Sequence, residues 1–232
     1  MKDTNNKTDL IERRRREILT AAKRIFAENG FRRTKIDQIA NTLNVGKGTI
    51  YRYFDDKKSL FLAVFEQGTS ELRERFRTDV EPVSDPKEKI AAAVKTYLDF
   101  FDNNRDLIEI LMQVRSEFKD DYRRNFLAIY ADYIVKIQEN LRIGIKKGIF
   151  RDLDVERTAE AISATLYGVL QSFYIREFGS PLKKTDHEVE LSAGLKNQGG
   201  NRAEQFSEQR RESLTDRIEA VKALLLQGLL KR

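Results

Sequence analysis

The sequence predicts an all-α protein with a small basic N-terminal head and a larger helical C-terminal body. Apolar residues recur at helical spacing along the chain, and no segment shows the alternation that is typical of a strand. Residues 1–60 hold 15 Lys and Arg against 8 Asp and Glu, a net charge of +7, whereas the remaining residues have a net charge of −1. This charge distribution is typical of a head that binds a polyanion.

Composition excludes several classes of protein. The chain of 232 residues has no Cys, and its one His is His187, in a polar stretch, so we expect no disulfide, metal site or cofactor. The N-terminus is polar and no run of 18 apolar residues occurs, which predicts a cytoplasmic protein without a signal peptide or a membrane span. Because no nucleophile stands beside a base and no acid pair stands out, an enzyme is only a remote alternative.

The first predicted helix leads from Arg13–Arg16 to about Asn29, and Gly30 ends it. Residues 1–12 are polar and are expected to be frayed. The four arginines have two interpretations that the sequence leaves open. They form a solvated helix start, or they contact phosphates or an adjacent minor groove.

Two short helices with a tight turn between them are predicted in residues 34–60. In the first helix the apolar residues fall at i, i+3, i+4 and i+7, and Thr34 with Asp37 is expected to cap it. The turn is Asn44-Val45-Gly46, since Asn and Gly both tolerate the left-handed backbone. The second helix runs from about Lys47 to Phe54.

The surface of this second helix is unusual for a structural helix. Ile50 and Phe54 supply the inward spacing, which leaves tyrosines and cations on the other faces. Gly48 costs about 1 kcal/mol relative to Ala inside a helix, which suggests that a partner comes close to the backbone there. Packing of Tyr51 and Tyr53 between helices is the structural alternative. A helix-turn-helix presents a short basic helix of this kind to the DNA major groove.

The residues of this stretch resemble the DNA-binding signature of the TetR family of bacterial transcriptional regulators. Phe26, Gly30 and Phe31 extend the resemblance towards the N-terminus, and it does not cover the C-terminal three-quarters of the chain. The matching residues are Thr34, Ile36, Ile39, Ala40, Leu43, Val45, Gly48, Thr49, Ile50, Tyr51, Tyr53, Phe54, Lys57 and Leu60.

The resemblance implies a role for each matched position. It implies contacts with base edges for Lys47, Gly48 and Tyr51, and Lys suits the guanine acceptors in the major groove. Phosphate contacts are implied for the side chains of Arg52, Tyr53 and Lys57 and for the backbone amides of Val45 and Gly46. Thr34 and Thr49 complete the predicted DNA-binding set, while Ile36 stands where the family often has a hydroxyl. The run Gly46–Thr49 is not a phosphate-binding loop, because the spacing of that motif is absent.

The remaining sequence predicts further helices. Asp55 and Asp56 start a helix that runs to about Thr78, and Pro82 and Pro86 mark a loop. Helical patterns follow around residues 90–101, 107–114, 117–147, 155–178 and 213–230, with Asp152 or Asp154 as a cap before 155. Residues 179–212 are predicted to form a mobile loop. The predicted domains are residues 1–58, which bind DNA, and residues 59–232, which bind a ligand and form the dimer.

An aromatic stripe on the helix at 117–147 is either ordinary core or the lining of a ligand cavity. Several of its rings carry polar groups, which a dry core does not need. With neighbours that the family fold implies, the sequence predicts a site for a small apolar or aromatic ligand. Its residues are Phe101, Met112, Phe118, Tyr122, Phe126, Tyr130, Tyr133 and Tyr167.

The last two predicted helices carry features of a helix–helix interface. Small residues at helical spacing allow a close approach, and the final helix is apolar on one side. The resemblance implies a homodimer through these helices, and packing within one chain is the alternative. The residues are Ala161, Ala164, Gly168, Ser172, Ile218, Val221 and Leu225.

These observations predict a DNA-binding transcriptional regulator. The family's usual behaviour implies a repressor that a ligand releases from a palindromic operator. A DNA-binding regulator without a small-molecule inducer is the alternative.

Overall fold

The computed structural model describes the backbone of residues 2–178 and 216–231 and the side chains of residues 9–121, 130–172 and 216–231. The mobile loop predicted at 179–212 lies outside the described residues. Within them the chain is helical, and one isolated bridge between Phe150 and Leu230 is the extent of β-pairing. The all-α prediction is therefore confirmed. The helices are α1 (Lys2–Arg33), α2 (Ile36–Thr42), α3 (Lys47–Tyr51), α4 (Lys57–Asp79), α5 (Pro86–Asn103), α6 (Arg105–Glu117), α7 (Lys119–Lys146), α8 (Val155–Phe178) and α9 (residues 216–229).

Helix α1 begins earlier than the sequence predicts. It is helical from Lys2, so the expectation of a frayed segment at residues 1–12 is wrong. The regular helix is broken at Gly30, whose φ of 77° and ψ of 156° are open to glycine at little steric cost.

Acidic residues cap three later helices. The Asp56 carboxylate accepts the Ser59 amide at 2.6 Å, and the Ser59 hydroxyl accepts the Asp56 amide at 3.0 Å, which fixes the start of α4. Asp85 accepts two amides of the first turn of α5. Asp154 accepts the Arg157 amide at 3.0 Å, so Asp154 caps α8.

The chain forms two compact units. The first comprises residues 1–74 and 104–129, and the second comprises the described parts of residues 75–103 and 130–231. This division differs from the predicted domains, because residues 59–74 and 104–129 group with the N-terminal head. The physical reason lies in side-chain contacts between α6 and α1.

A cluster of phenylalanines forms the centre of the first unit. Phe61 meets Phe26 edge to face with ring centroids 4.9 Å apart, and Phe31 lies 5.1 Å from Phe61. Phe118, at the end of α6, stands edge to face on Phe31 at 4.8 Å. Such pairs add to the stabilisation that burial alone provides. The cluster therefore joins α1, α4 and the α6–α7 junction.

The second unit has its own apolar core. Asn140, buried in α7, donates to the Pro86 carbonyl at 3.0 Å and so satisfies its amide inside this unit. At the unit's edge the Arg151 amide donates to the Leu229 carbonyl at 3.0 Å. The buried residues are Ile90, Val94, Leu98, Leu141, Phe150, Ala159, Ile162, Leu166, Ile218, Val221 and Leu229.

The surface of the second unit carries exposed ion pairs. The Lys136 ammonium donates to Glu81 at 2.7 Å, and this hydrogen bond is the main cause that raises the pKa of Lys136. Such exposed pairs contribute little to stability. Among the helices of the described residues, we find none with a stretch long and apolar enough to cross a membrane.

Replacement of Gly144 by Ala should destabilise the fold. A Cβ at Gly144 would overlap the ring of Phe150, which is buried and has little room to move. We expect Gly144→Ala to lower the free energy of unfolding by about 1–3 kcal/mol, measured by chemical denaturation. Gly228→Ala is the matched control, because no atom lies within 4 Å of its Cβ position. Equal stability of the two variants would contradict this account.

Candidate nucleic-acid interface

The turn between α2 and α3 is fixed by backbone hydrogen bonds. Asn44 adopts a left-handed conformation with φ of 53°, while Gly46 is extended with φ of −74° and precedes α3 as its N-cap residue. The Val45 amide donates to the Ala40 carbonyl at 3.0 Å. Of the two residues expected to tolerate a left-handed turn, Asn44 uses that freedom and Gly46 does not. The Val45 amide already has the Ala40 carbonyl as its acceptor, so the predicted phosphate contact through Val45 requires correction.

The start of α2 differs from the predicted capping by Thr34 and Asp37. The N-cap residue is Lys35, and its amide donates to the Gln38 side chain at 2.7 Å. Thr34 instead donates its hydroxyl back to the Gly30 carbonyl at 2.8 Å and is only 1% exposed. The Thr34 side chain therefore closes the end of α1, and we leave it out of the DNA surface.

Helix α3 is anchored by the residues that the spacing indicated. Ile50 and Phe54 are buried, and the guanidinium carbon of Arg15 lies 5.4 Å from the centroid of the Phe54 ring. This contact stabilises the end of α3 against α1. Tyr51 is 47% exposed, so packing between helices does not account for its ring.

The outer face of α3 is open and partly basic. Lys47, Gly48, Tyr51 and Arg52 are exposed, while Thr49 and Tyr53 are half-buried. The ammonium of Lys47 lies 3.9 Å from Asp37, and both side chains are more than half exposed, so this pair holds Lys47 weakly. The Cβ position of Gly48 has no atom within 4 Å, so packing in the described residues does not require a glycine there. This is the face that the prediction assigned to base edges.

Lys57 is placed differently from its predicted role. Its ammonium donates to the carbonyls of Phe31 at 2.9 Å, Arg32 at 3.3 Å and Thr34 at 3.0 Å. The same nitrogen lies 4.5 Å from the centroid of the Phe31 ring. The predicted phosphate contact by Lys57 therefore requires correction, because the ammonium is already used inside the head.

Other cations near the head also have partners in the first unit. Arg13 and Arg14 both pair with Glu17, at 3.2 and 2.9 Å. Lys58 pairs with Asp121 at 2.8 Å. The basic character of residues 1–60 is thus shared between internal pairs and the open face of α3.

Contacts between α6 and α1 were not predicted from the sequence. The Gln113 side chain accepts the Phe31 amide at 2.8 Å and donates to the Phe26 carbonyl at 3.1 Å. Arg32 pairs with Glu117 at 2.9 Å. Each partner lies more than 80 residues away along the chain, and the sequence carries no local signal for such pairs.

The predicted ligand residues are divided between the two units. In the first unit Phe118 belongs to the phenylalanine cluster and Met112 is half-buried. The side chains of Tyr122 and Phe126 lie outside the described residues.

The other four predicted ligand residues belong to the second unit. Phe101 is buried and its ring stands edge to face with Tyr97. The Tyr133 ring stands edge to face with Phe76. Tyr130 and Tyr167 are half-buried there, and the Tyr167 hydroxyl accepts the Gln171 side chain at 2.7 Å.

The predicted dimer residues form two groups in the second unit. The small residues Ala161, Ala164, Gly168 and Ser172 are exposed along α8. Ile218 and Val221 are buried in the core of the unit, and Leu225 packs partly against it, so their assignment to a partner surface requires correction. The exposed line of α9 instead contains Ala220, Ala223 and Leu224, which follow helical spacing and were available as a signal in the sequence.

Two family models match this chain. The model described as bacterial regulatory proteins, tetR family, matches residues 18–64, which include α2 and α3. The model described as tetracyclin repressor-like, C-terminal domain, matches residues 83–171. Together they cover both the candidate interface and much of the helical body.

Named relatives and solved structures agree with these matches. The fatty acid metabolism regulator protein of Bacillus subtilis is 25% identical over 151 residues, which cover 65% of this chain and 78% of that protein. The structure of the fatty acid degradation regulator FadR of Bacillus halodurans has a TM-score of 0.68 and 22% sequence identity to this chain. The match covers 94% of this chain and 97% of that one. FadR from Bacillus subtilis, solved with stearoyl-CoA, has a TM-score of 0.66 and 22% sequence identity. That match covers 91% of this chain and 97% of the FadR chain.

The named relative is a regulator and not an enzyme, and both solved structures share the fold of this chain. The helix-turn-helix geometry, the two family models and the relatives lead to the same assignment. This chain is a transcriptional regulator and belongs to the TetR family of bacterial regulatory proteins.

Proposed function

We propose that the protein is a cytoplasmic homodimer that represses transcription from a palindromic operator and releases it when a small apolar ligand binds the body. The proposal of DNA binding rests on the open face of α3. Lys47, Gly48 and Tyr51 are exposed there while Ile50 and Phe54 hold the helix from behind. A recognition helix needs both properties, because its outer side chains read base edges while its inner side chains fix its position.

Charge supports the same proposal. The head carries the excess positive charge of the whole chain, and a basic head raises the rate and strength of association with DNA. Arg52 is exposed with its guanidinium carbon 6.0 Å from the centroid of the Tyr53 ring. These two residues are proposed to contact phosphates, and Tyr51 is proposed to contact bases.

The proposed dimer uses the exposed lines of α8 and α9. Ala164 and Gly168 leave the backbone of α8 accessible, and no atom lies within 4 Å of the Cβ position of Gly168. Leu224 is 65% exposed on α9, which is costly for a large apolar side chain in water. A second copy that packs on these lines would bury both, and a two-fold dimer matches the symmetry of a palindromic operator.

The proposed ligand presents an apolar part to the body. The second unit holds Phe101, Tyr130, Tyr133 and Tyr167, whose aromatic rings carry no formal charge. The relative named for fatty acid metabolism and the fold shared with a stearoyl-CoA complex favour a ligand with an acyl chain. A ligand that binds one conformation of the body better than the other shifts the population between them, which is how it would release DNA.

Removal of the Tyr51 ring should reduce discrimination between operator and random DNA. We expect Tyr51→Ala to lower the ratio of operator to random-sequence affinity by about tenfold, because a good base contact contributes about 1–3 kcal/mol of discrimination. The measurement is fluorescence anisotropy on an operator selected from the source genome. Arg52→Ala is the matched control and should weaken both DNAs alike, as loss of a phosphate contact does. Equal losses for Tyr51→Ala on the two DNAs would refute its role.

A charge on the exposed line of α8 should break the dimer. We expect Ala164→Arg to convert the protein to a monomer in sedimentation equilibrium, because two unpaired guanidinium groups would be buried at a two-fold contact. Ala131→Arg introduces the same charge at an exposed position of α7 and should leave the mass unchanged. If Ala164→Arg stays dimeric, the interface lies elsewhere.

Stearoyl-CoA should weaken operator binding. We expect a rise in the dissociation constant of about tenfold or more, because allosteric coupling in proteins is commonly about 1–3 kcal/mol. Coenzyme A without the acyl chain is the control and should have no effect at the same concentration. If stearoyl-CoA, stearate and an aromatic acid all leave operator binding unchanged, the proposal of an apolar inducer fails and a regulator without a small-molecule inducer is favoured.

A further inference from the structure

The first residue of α4 is bonded to residues 31–34, which follow the break of α1 at Gly30 and form the α1–α2 link. The Lys57 ammonium donates to the carbonyls of Phe31, Arg32 and Thr34, at 2.9, 3.3 and 3.0 Å. An ammonium has three donors and no acceptor, so these three carbonyls match its full capacity. The nearby Phe31 ring, 4.5 Å from the nitrogen, adds a cation–π contact.

The carbonyls concerned lie where α1 stops being regular. Gly30 leaves the helical conformation, and carbonyls at such a helix end lose the acceptor role they have inside a helix. Thr34 satisfies the Gly30 carbonyl through its hydroxyl at 2.8 Å and its amide at 3.2 Å. Lys57 satisfies the carbonyls that follow. The link is therefore bonded internally by Thr34 and from α4 by Lys57.

This link determines where the DNA-facing helices lie. Residue 34 is followed directly by Lys35, the N-cap residue of α2, and α2 continues through the turn at Asn44 into α3. A change in the position of residues 31–34 relative to the start of α4 would therefore move the pair α2 and α3. The three hydrogen bonds of Lys57 hold that position.

We propose that Lys57 is a positioning residue for the recognition helix, which it serves through the α1–α2 link, and that it does not act as a phosphate contact. This inference rests on the proposed DNA-binding function. The resemblance implies instead that Lys57 contacts a phosphate of DNA. Loss of a phosphate contact changes the number of ions released, whereas loss of a positioning contact changes the population of the correctly oriented head.

The first test needs no DNA. In Lys57→Met, which keeps a similar length and removes the donors, amide hydrogen exchange of residues 34–43 should quicken by about tenfold or more, because hydrogen bonds from charged groups are among the stronger ones. Lys58→Met is the matched control, since it removes one charge at the next position, where the ammonium pairs with Asp121 instead of backbone carbonyls. Exchange that is unchanged in Lys57→Met, or equally faster in both variants, would overturn the proposal.

The second test separates positioning from phosphate contact. For Lys57→Met we expect weaker operator binding, a smaller ratio of operator to random-sequence affinity, and an unchanged slope of log affinity against log salt. A lost phosphate contact would instead reduce the magnitude of that slope by about 0.9 and weaken both DNAs alike. The latter outcome would overturn the proposal.

Lys57→Arg is a second variant that tests the positioning role even if Lys57→Met does not fold. Arginine retains the charge and reaches a phosphate, but its planar fork does not direct three donors to the same three carbonyls. We expect Lys57→Arg to show faster exchange at residues 34–43 and reduced operator discrimination, and wild-type behaviour in both would overturn the proposal. Failure of the wild-type protein to select any operator would contradict the proposed function instead, while the exchange comparison would still report on Lys57.

Discussion

The link between α1 and α2 is the point on which the first unit depends. Phe31 meets Phe61 of α4 and Phe118 at the end of α6 with its ring, and its backbone bonds to side chains of both helices. The short segment after the break at Gly30 thus carries contacts with two other helices. Hydrogen bonds therefore reach the backbone of Phe31 from both α4 and α6.

Local signals in the sequence predicted the elements well. Asp56 and Asp154, which the sequence placed at helix starts, accept first-turn amides because a carboxylate there satisfies groups that the helix itself leaves unpaired. The pair Ile50 and Phe54 is buried because residues four apart share one face of a helix. These interactions span three or four residues, so periodicity and composition are enough to find them.

Interactions between distant residues could not be predicted in this way. Nothing around Lys57 shows that carbonyls 23 to 26 residues earlier would surround its ammonium. Nothing around Gln113 shows that it would bond to the Phe31 amide. The assignment of Ile218 and Val221 to a dimer interface was wrong for a related reason. The sequence of an apolar helix face does not show whether it packs in the core of one chain or against a partner. Fold class follows from pattern, whereas side-chain roles follow from three-dimensional neighbours.

The distribution of cations explains why formal charge is a poor guide to the DNA contacts of this head. Lys57, Lys58 and Arg32 each have a bonded partner within the first unit, although the side chains of Lys58 and Arg32 are exposed. Their charges still contribute to the long-range field that attracts DNA, because a field depends on charge and not on hydrogen bonding. Direct contacts need donors that are not already used. In the proposed function, many basic residues of the head share the attraction of DNA, and the exposed residues of α3 are left for its recognition.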